Sequence, residues 1–252
     1  MGLEYFTFDN LTKAGVRHCF TYRTGGVSAG CFSSLNLSYT RGDKDENVSE
    51  NFRRICEAAG FERDSLVFSN QIHKTKIAAV SDADKGKTIK EADGLTALSP
   101  NVTLTTFYAD CVPLFFFDKK SGAVASVHAG WRGTAAKIAR EAIIFMGEAY
   151  GTNPADIIAG IGPSICADCF EVDISTALNF SDYPQFVETC GEKRHINLQG
   201  VNREIMEECG IPPENIEISG LCTKHNPDLF YSHRRTGAER GSMCAFISAK
   251  SF

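Results

Sequence analysis

The 252-residue chain lacks any apolar run near the ~18 residues that a membrane-crossing helix needs. Its longest run of interest, Val112 to Phe117, has the length of a buried strand. It is also short of positive charge, with 26 Lys plus Arg against 31 Asp plus Glu and a net charge of −5. No basic stripe is dense enough to cover a phosphate backbone, which excludes duplex DNA or RNA as an expected partner. Met1 to Asn10 carries Glu4 and Asp9 and has neither a basic nor an apolar targeting segment, so the cytoplasm is the expected compartment. With no Pro/Gly/Ser-rich linker and no internal repeat, the expectation is a single domain over residues 1–252.

A composition that is 43% hydrophobic and 23% charged is that of a globular chain with a sizeable core. Ten cysteines spread from Cys19 to Cys244, without a secretory context, are expected to be mostly free, buried thiols. Arg17 to Tyr22 reads as a strand, followed by a turn-rich loop from Arg23 to Ser38 whose backbone is free to approach a ligand. Val48, Phe52, Ile55, Cys56 and Ala59 recur at helical spacing and Gly60 closes the pattern. Short strands are expected at Leu66 to Phe68, Thr75 to Val80, Val102 to Phe107, Val112 to Phe117 and Ala123 to His128. Thr134 is the expected N-cap of a helix with an apolar face from Ala135 to Ala149, and Asn197 introduces another that carries Leu198, Val201, Ile205 and Cys209. With further strands at Ile157 to Ile161 and Ile216 to Leu221, several strands follow one another without a helix. The expected class is therefore α/β or α+β, a mixed sheet sandwich with flanking helices.

Several motifs fail on context. Gly26-Val-Ser28-Ala-Gly30 spells a nucleophile elbow but lies in a loop, without the strand and helix that the elbow requires. Cys166-x-x-Cys169 has no second C-x-x-C, so a disulfide or plain packing is expected of it rather than a structural zinc site. Gly160-x-Gly162 lacks a third glycine, and no P-loop occurs.

Three segments do combine metal-competent residues with apolar flanks: Asn70-Gln-Ile-His73, Tyr108-Ala-Asp110-Cys111-Val-Pro113 and Val127-His128-Ala-Gly130-Trp-Arg132-Gly-Thr134. Each falls at a strand end or a strand-to-helix turn, where side chains can converge. His73, Cys111 and His128 offer two imidazoles and a thiolate, a set suited to Zn²⁺ with a fourth position left open. Gly130 and Gly133 allow a tight turn whose amides, with Arg132, would face an anion.

At these residues the chain resembles the YfiH-like family, also called the laccase-domain or polyphenol oxidase family and related to purine nucleoside phosphorylases of the same fold. The matching stretches are Thr21 to Leu37, Asn70 to His73, Ala92-Asp93-Gly94, Ala109 to Pro113, His128 to Thr134, Gly162 to Cys166 and Phe230 to Arg235. Lys74 stands where the family usually has glycine, and the tail reads Thr236-Gly-Ala-Glu-Arg240-Gly-Ser242 in place of a compact Thr-Gly-Arg. The resemblance implies the metal triad His73, Cys111 and His128. It further implies phosphorolysis of adenosine, inosine, guanosine or methylthioadenosine, and deamination of adenosine. Arg23, Asn36 and Arg132 are the expected substrate and phosphate contacts, and Asp110 is expected to orient His73 or His128 or to accept a proton.

Rival readings use the same residues. The older family label implies copper-dependent phenol oxidation, although six histidines undersupply a multicopper cluster. Cys111 as a thiolate nucleophile with His128 or His73 as base would make an amide hydrolase, such as one acting on peptidoglycan precursors. A ligand-binding module without turnover is the fourth reading.

Overall fold

The computed structural model describes residues 3–249. A first six-stranded sheet runs, in spatial order, Tyr5–Phe6, Arg17–Thr21, Met243–Ser248, Thr103–Tyr108, Leu66–Ser69 and Thr88–Ile89. A second six-stranded sheet runs Ile216–Ile218, Ile157–Ile161, Val112–Asp118, Val124–Ala129, Gly94–Ala97 and Ile77–Ala79. Both are mixed: Val112–Asp118 pairs antiparallel with both of its neighbours, whereas Leu66–Ser69 pairs parallel with Thr103–Tyr108.

Side-chain alternation sets the layers. Phe115 and Phe117 of the second sheet share one core with Leu104, Ala245 and Ile247 of the first, so these faces pack on each other. The opposite face of Val112–Asp118 turns Leu114 and Phe116 towards the helices Ile138–Tyr150 and Leu198–Glu208. The outer face of the first sheet buries Cys19, Cys244 and Phe246 under Phe52 and Ile55 of the helix Asp45–Ala59. Being covered on both sides is why Val112 to Phe117 reads as an unbroken apolar run instead of alternating. The architecture is thus the expected mixed α/β sandwich, with helix, sheet, sheet and helices in succession.

Three connections cross from the first sheet to the second at one end of this sandwich, one of them residues 90–93, which carry Asp93 from Thr88–Ile89 to Gly94–Ala97. The loop after Leu66–Ser69 carries His73 towards Ile77–Ala79, and residues 109–111 carry Cys111 from Thr103–Tyr108 to Val112–Asp118. His128 sits near the end of Val124–Ala129, paired with Pro113 in register. The topology alone therefore gathers the three segments.

The structure corrects several local expectations. Thr134 is not an N-cap: it lies inside a short helix, Trp131–Ala135, and its hydroxyl accepts from Asn202 Nδ2 at 3.0 Å. Lys137, with φ 59°, separates that turn from Ile138–Tyr150. Met243–Ser248, unanticipated from sequence, is central in the first sheet, because its pairing with Arg17–Thr21 and Thr103–Tyr108 is remote in sequence. All ten cysteines are free, so Cys166 and Cys169 form no disulfide, and Cys31 and Cys190 are exposed instead of buried.

Phe115 is fully buried between the sheets and meets the Phe8 ring edge-on at a centroid distance of 5.4 Å. Replacing it by alanine leaves a cavity that neither sheet can close, so Phe115→Ala is expected to lower unfolding free energy by about 3–5 kcal/mol in denaturant titration.

Candidate active site

The donor atoms of His73, Cys111 and His128 lie within 4.8 Å of one another. Cys111 Sγ is 4.0 Å from His73 Nε2, and the two imidazole rings meet edge-on at a centroid distance of 4.8 Å. The backbone is bent to achieve this. His73 and Asp110 adopt left-handed conformations, with φ 60° and 90°, which non-glycine residues hold only when their surroundings enforce it.

Asp93 supplies the enforcement at His73. Its fully buried carboxylate accepts the backbone N–H groups of Ile72, His73 and Lys74 at 3.2, 2.9 and 2.9 Å, and bonds His128 Nδ1 at 2.9 Å. The same acid thus clamps the loop that presents His73 and fixes the ring of His128, leaving Nε2 for the site. Lys74, at the family's usual glycine position, is absent from the left-handed region and needs no glycine. Gly130 is required by space: an added Cβ would stand 2.9 Å from His73 Cδ2, 3.3 Å from Cys111 Sγ and 3.6 Å from His128 Cε1.

Burial alone would raise the Cys111 thiol, but the charge and hydrogen bonding of His128, then of His73, pull its pKa down to about 6. Burial likewise disfavours the His128 imidazolium, yet Cys111 and then Asp93 raise it to about 9. Each partner thus favours the charged form of the other, the imidazolium of His128 holding the Cys111 thiol down and the thiolate holding the imidazole up. Two imidazoles and one thiolate turned to one point, with a side open to a cavity, fit the donor set of a catalytic zinc ion.

That cavity, about 1130 Å³, reaches from the three donors along the first sheet and is lined by Phe68, Phe107, Tyr108, Arg41, Arg240 and Ser242 among others. The expected anion contacts lie elsewhere. Arg23 donates to the carbonyls of Ser33 and Pro227 and stacks 4.5 Å over the Tyr231 ring. Arg132 is exposed and packs 4.1 Å over its neighbour Trp131. Asn36 is fully buried, its amide spent on the backbone of Ser38 and Ser242 and on Asp43. The turn-rich loop is closed on itself through Asn51, which bonds Val27, Ser28 and Ser34, so Ser28 is a structural hydroxyl. Nor does Asp110 orient a histidine: its carboxylate accepts the Thr223 hydroxyl and the Arg234 backbone N–H, both at 2.6 Å.

Arg240, like Asp93, has a place in the site that sequence reasoning did not assign. It is 7% exposed, its Nε has no partner, and among the described residues no carboxylate pairs with it. Burial and then the charge of Arg41 lower its pKa to about 10, against the opposing pull of Asp110 and Cys111. Asp93 was within reach of a sequence argument, since Ala92-Asp93-Gly94 is one of the family stretches. Arg240 was not, because the tail departs from the family pattern.

Two outcomes follow from this geometry. Asp93→Asn, whose amide would donate to His128 Nδ1 and select the wrong tautomer, is expected to weaken metal affinity about 10–100-fold in chelator competition. In chelator-treated protein, the rate of Cys111 alkylation is expected to rise with pH around a midpoint of about 6 and to level off by neutrality, where an ordinary thiol would still be climbing.

A family model described as multi-copper polyphenol oxidoreductase laccase matches residues 17–250. The chain is 39% identical to the purine nucleoside phosphorylase YlmD of Bacillus subtilis over 243 residues, covering 92% of this chain and 87% of that protein. It is 34% identical over 255 residues to a purine nucleoside phosphorylase of Bacteroides thetaiotaomicron, covering 95% and 94%. The crystal structure of the hypothetical protein YfiH from Bacillus licheniformis superposes with a TM-score of 0.93 at 33% identity, covering 98% of this chain and 96% of that one. With the fold, the converging segments and these relatives in agreement, the chain belongs to the YfiH-like family, the multi-copper polyphenol oxidoreductase laccase family of the matching model.

Proposed function

We propose that the chain is a zinc-dependent purine nucleoside phosphorylase acting on adenosine, inosine, guanosine and methylthioadenosine, and that the same centre deaminates adenosine. The relatives' names support the first activity. The observation that carries it is Arg240, a buried cation without a carboxylate on the cavity that holds His73, Cys111 and His128. Arg41 lines the same cavity, and its charge adds to the cost of keeping Arg240 ionised. An anion between the two guanidinium groups relieves that cost, and phosphate suits their planar donors.

His73, Cys111 and His128 would hold the zinc, which when bound would supply Lewis acidity to the reaction. The side chains supply the remainder. Arg240 and Arg41 bind and neutralise phosphate, while Phe68 and Phe107, stacked at 6.2 Å and partly open to the cavity, offer an apolar wall to the base. A phosphate oxygen forms the new bond to ribose C1′ as the C1′–N9 bond breaks. The purine leaves with the electron pair and takes up a proton, giving free base and ribose 1-phosphate, or 5-methylthioribose 1-phosphate from methylthioadenosine. In deamination, water replaces the 6-amino group, ammonia departs, and phosphate plays no part.

Only two of the six histidines, His73 and His128, line the cavity, a supply that favours one metal over a multicopper centre. One observation favours a second reading. Cys111, His128 and Asp93 stand in the order of a thiol hydrolase triad, with the acid on Nδ1 of the base. Amide cleavage that survives metal removal would mark that reading.

Phosphate-dependent release of adenine or hypoxanthine by zinc-loaded protein is the test. Cys111→Ala is expected to abolish it. Arg240→Met is expected to raise the KM for phosphate about tenfold or more, as loss of a charge-assisted contact worth ~1.5–3 kcal/mol requires, with little change in the KM for nucleoside. Absence of base release from every nucleoside, with and without phosphate, overturns the proposal.

A further inference from the structure

Cys166-x-x-Cys169 does not stand alone in three dimensions. Cys222 and His225, a Cys-x-x-His pair 53 residues beyond Cys169, fold against it, and the four donor atoms lie within 4.8 Å of one another. Cys169 Sγ is 3.1 Å from His225 Nε2 and Cys166 Sγ is 3.7 Å from His225 Nδ1. In a tetrahedral zinc site with Zn–S bonds of ~2.3 Å, donors stand roughly 3.5–3.8 Å apart, so the separations among the four need change by only about an ångström or less. Cys169 and Cys222 are buried, Cys166 is partly so and His225 is exposed, which leaves one open side for a metal to enter. The Cys166 backbone N–H donates to Cys222 Sγ at 3.4 Å, an arrangement that favours thiolate over thiol.

We propose that Cys166, Cys169, Cys222 and His225 bind a second zinc ion, as a closed four-ligand structural site separate from His73, Cys111 and His128. Two short Cys-x-x-ligand turns from remote segments, a three-thiolate and one-imidazole set, and no ligand position left for substrate define a structural centre. The fold gives the ion something to hold. Ser164 and Cys222 form a bridge between their segments, and Thr223, next to Cys222, donates its hydroxyl to Asp110, the neighbour of Cys111. Arg234 donates to the carbonyls of Cys169 and Glu171, while its own N–H reaches Asp110. Closing the four ligands on zinc therefore braces, through Asp110, the turn that presents Cys111.

The test is the zinc content of the full chain, purified with zinc supplied and weak chelator present, together with intact mass under non-reducing conditions. The expected content is two zinc ions per chain in the unaltered protein, and one each in His225→Ala and His73→Ala. His225 is exposed, so its replacement leaves the core intact; Cys166→Ser provides an independent loss of the same ion. Cobalt loaded into His73→Ala is expected to give the intense visible bands of tetrahedral cobalt thiolate, which a merely packed cysteine cluster would not. One zinc per chain in the unaltered protein, lost entirely in His73→Ala, overturns the proposal. So does an intact mass two hydrogens light from a bond among Cys166, Cys169 and Cys222.

Discussion

The candidate active site depends on the Asp93 carboxylate. It has no solvent contact, and it accepts three consecutive backbone N–H groups of the His73 loop while bonding His128 Nδ1. A buried carboxylate is costly unless its lone pairs are filled, and here they are filled by the groups that have to be positioned. The hydrogen bonds from His128, Lys74 and His73 outweigh burial and keep Asp93 below the ordinary carboxylate range. The same residue is tied through its main chain, since its carbonyl accepts the His128 N–H at 2.7 Å. A strained His73 and an oriented His128 are two consequences of one satisfied charge.

The sandwich gives this arrangement a rigid frame. Cys111 lies on the turn from one sheet to the other, and His73 on a second crossing at the same end, so the two sheets cannot slide without parting the donors. Polar groups accompany them between the sheets: Tyr108 donates to the Val127 carbonyl, and Thr106 bonds Ser126 at 2.7 Å. Asp110, the neighbour of Cys111, ties the turn to Thr223 and Arg234. Asp93 and Asp110 are thus two buried carboxylates, one for the histidines and one for the turn that carries the cysteine.

Much of this was legible in the chain. The helix Asp45–Ala59 and its Gly60 stop, the strand Val112–Asp118 and the helix introduced by Asn197 follow from local periodicity and capping, which tertiary contacts reinforce. Where sequence reasoning failed, the deciding partner was remote. Thr134 looks like a cap, but Asn202, 68 residues away, claims its hydroxyl. Arg23 looks like an anion contact on a glycine-rich loop, but carbonyls of that loop and of Pro227 fill its donors. Cys166-x-x-Cys169 looks incomplete because its complement is folded in from Cys222 and His225.

Residue chemistry by itself determined the alternation of strands and helices, the buried double-faced strand, and the choice of His73, Cys111 and His128 as metal-competent residues at element ends. These rest on side-chain type and short-range spacing, which the chain carries in linear form. Tertiary structure alone decided that the three donors meet, that Asp93 and not Asp110 orients the histidine, and that Arg240 and not Arg23 or Arg132 faces the cavity. A side chain's available hydrogen-bond and charge partners are set by which segments fold beside it, and for each of these residues those segments lie far along the chain.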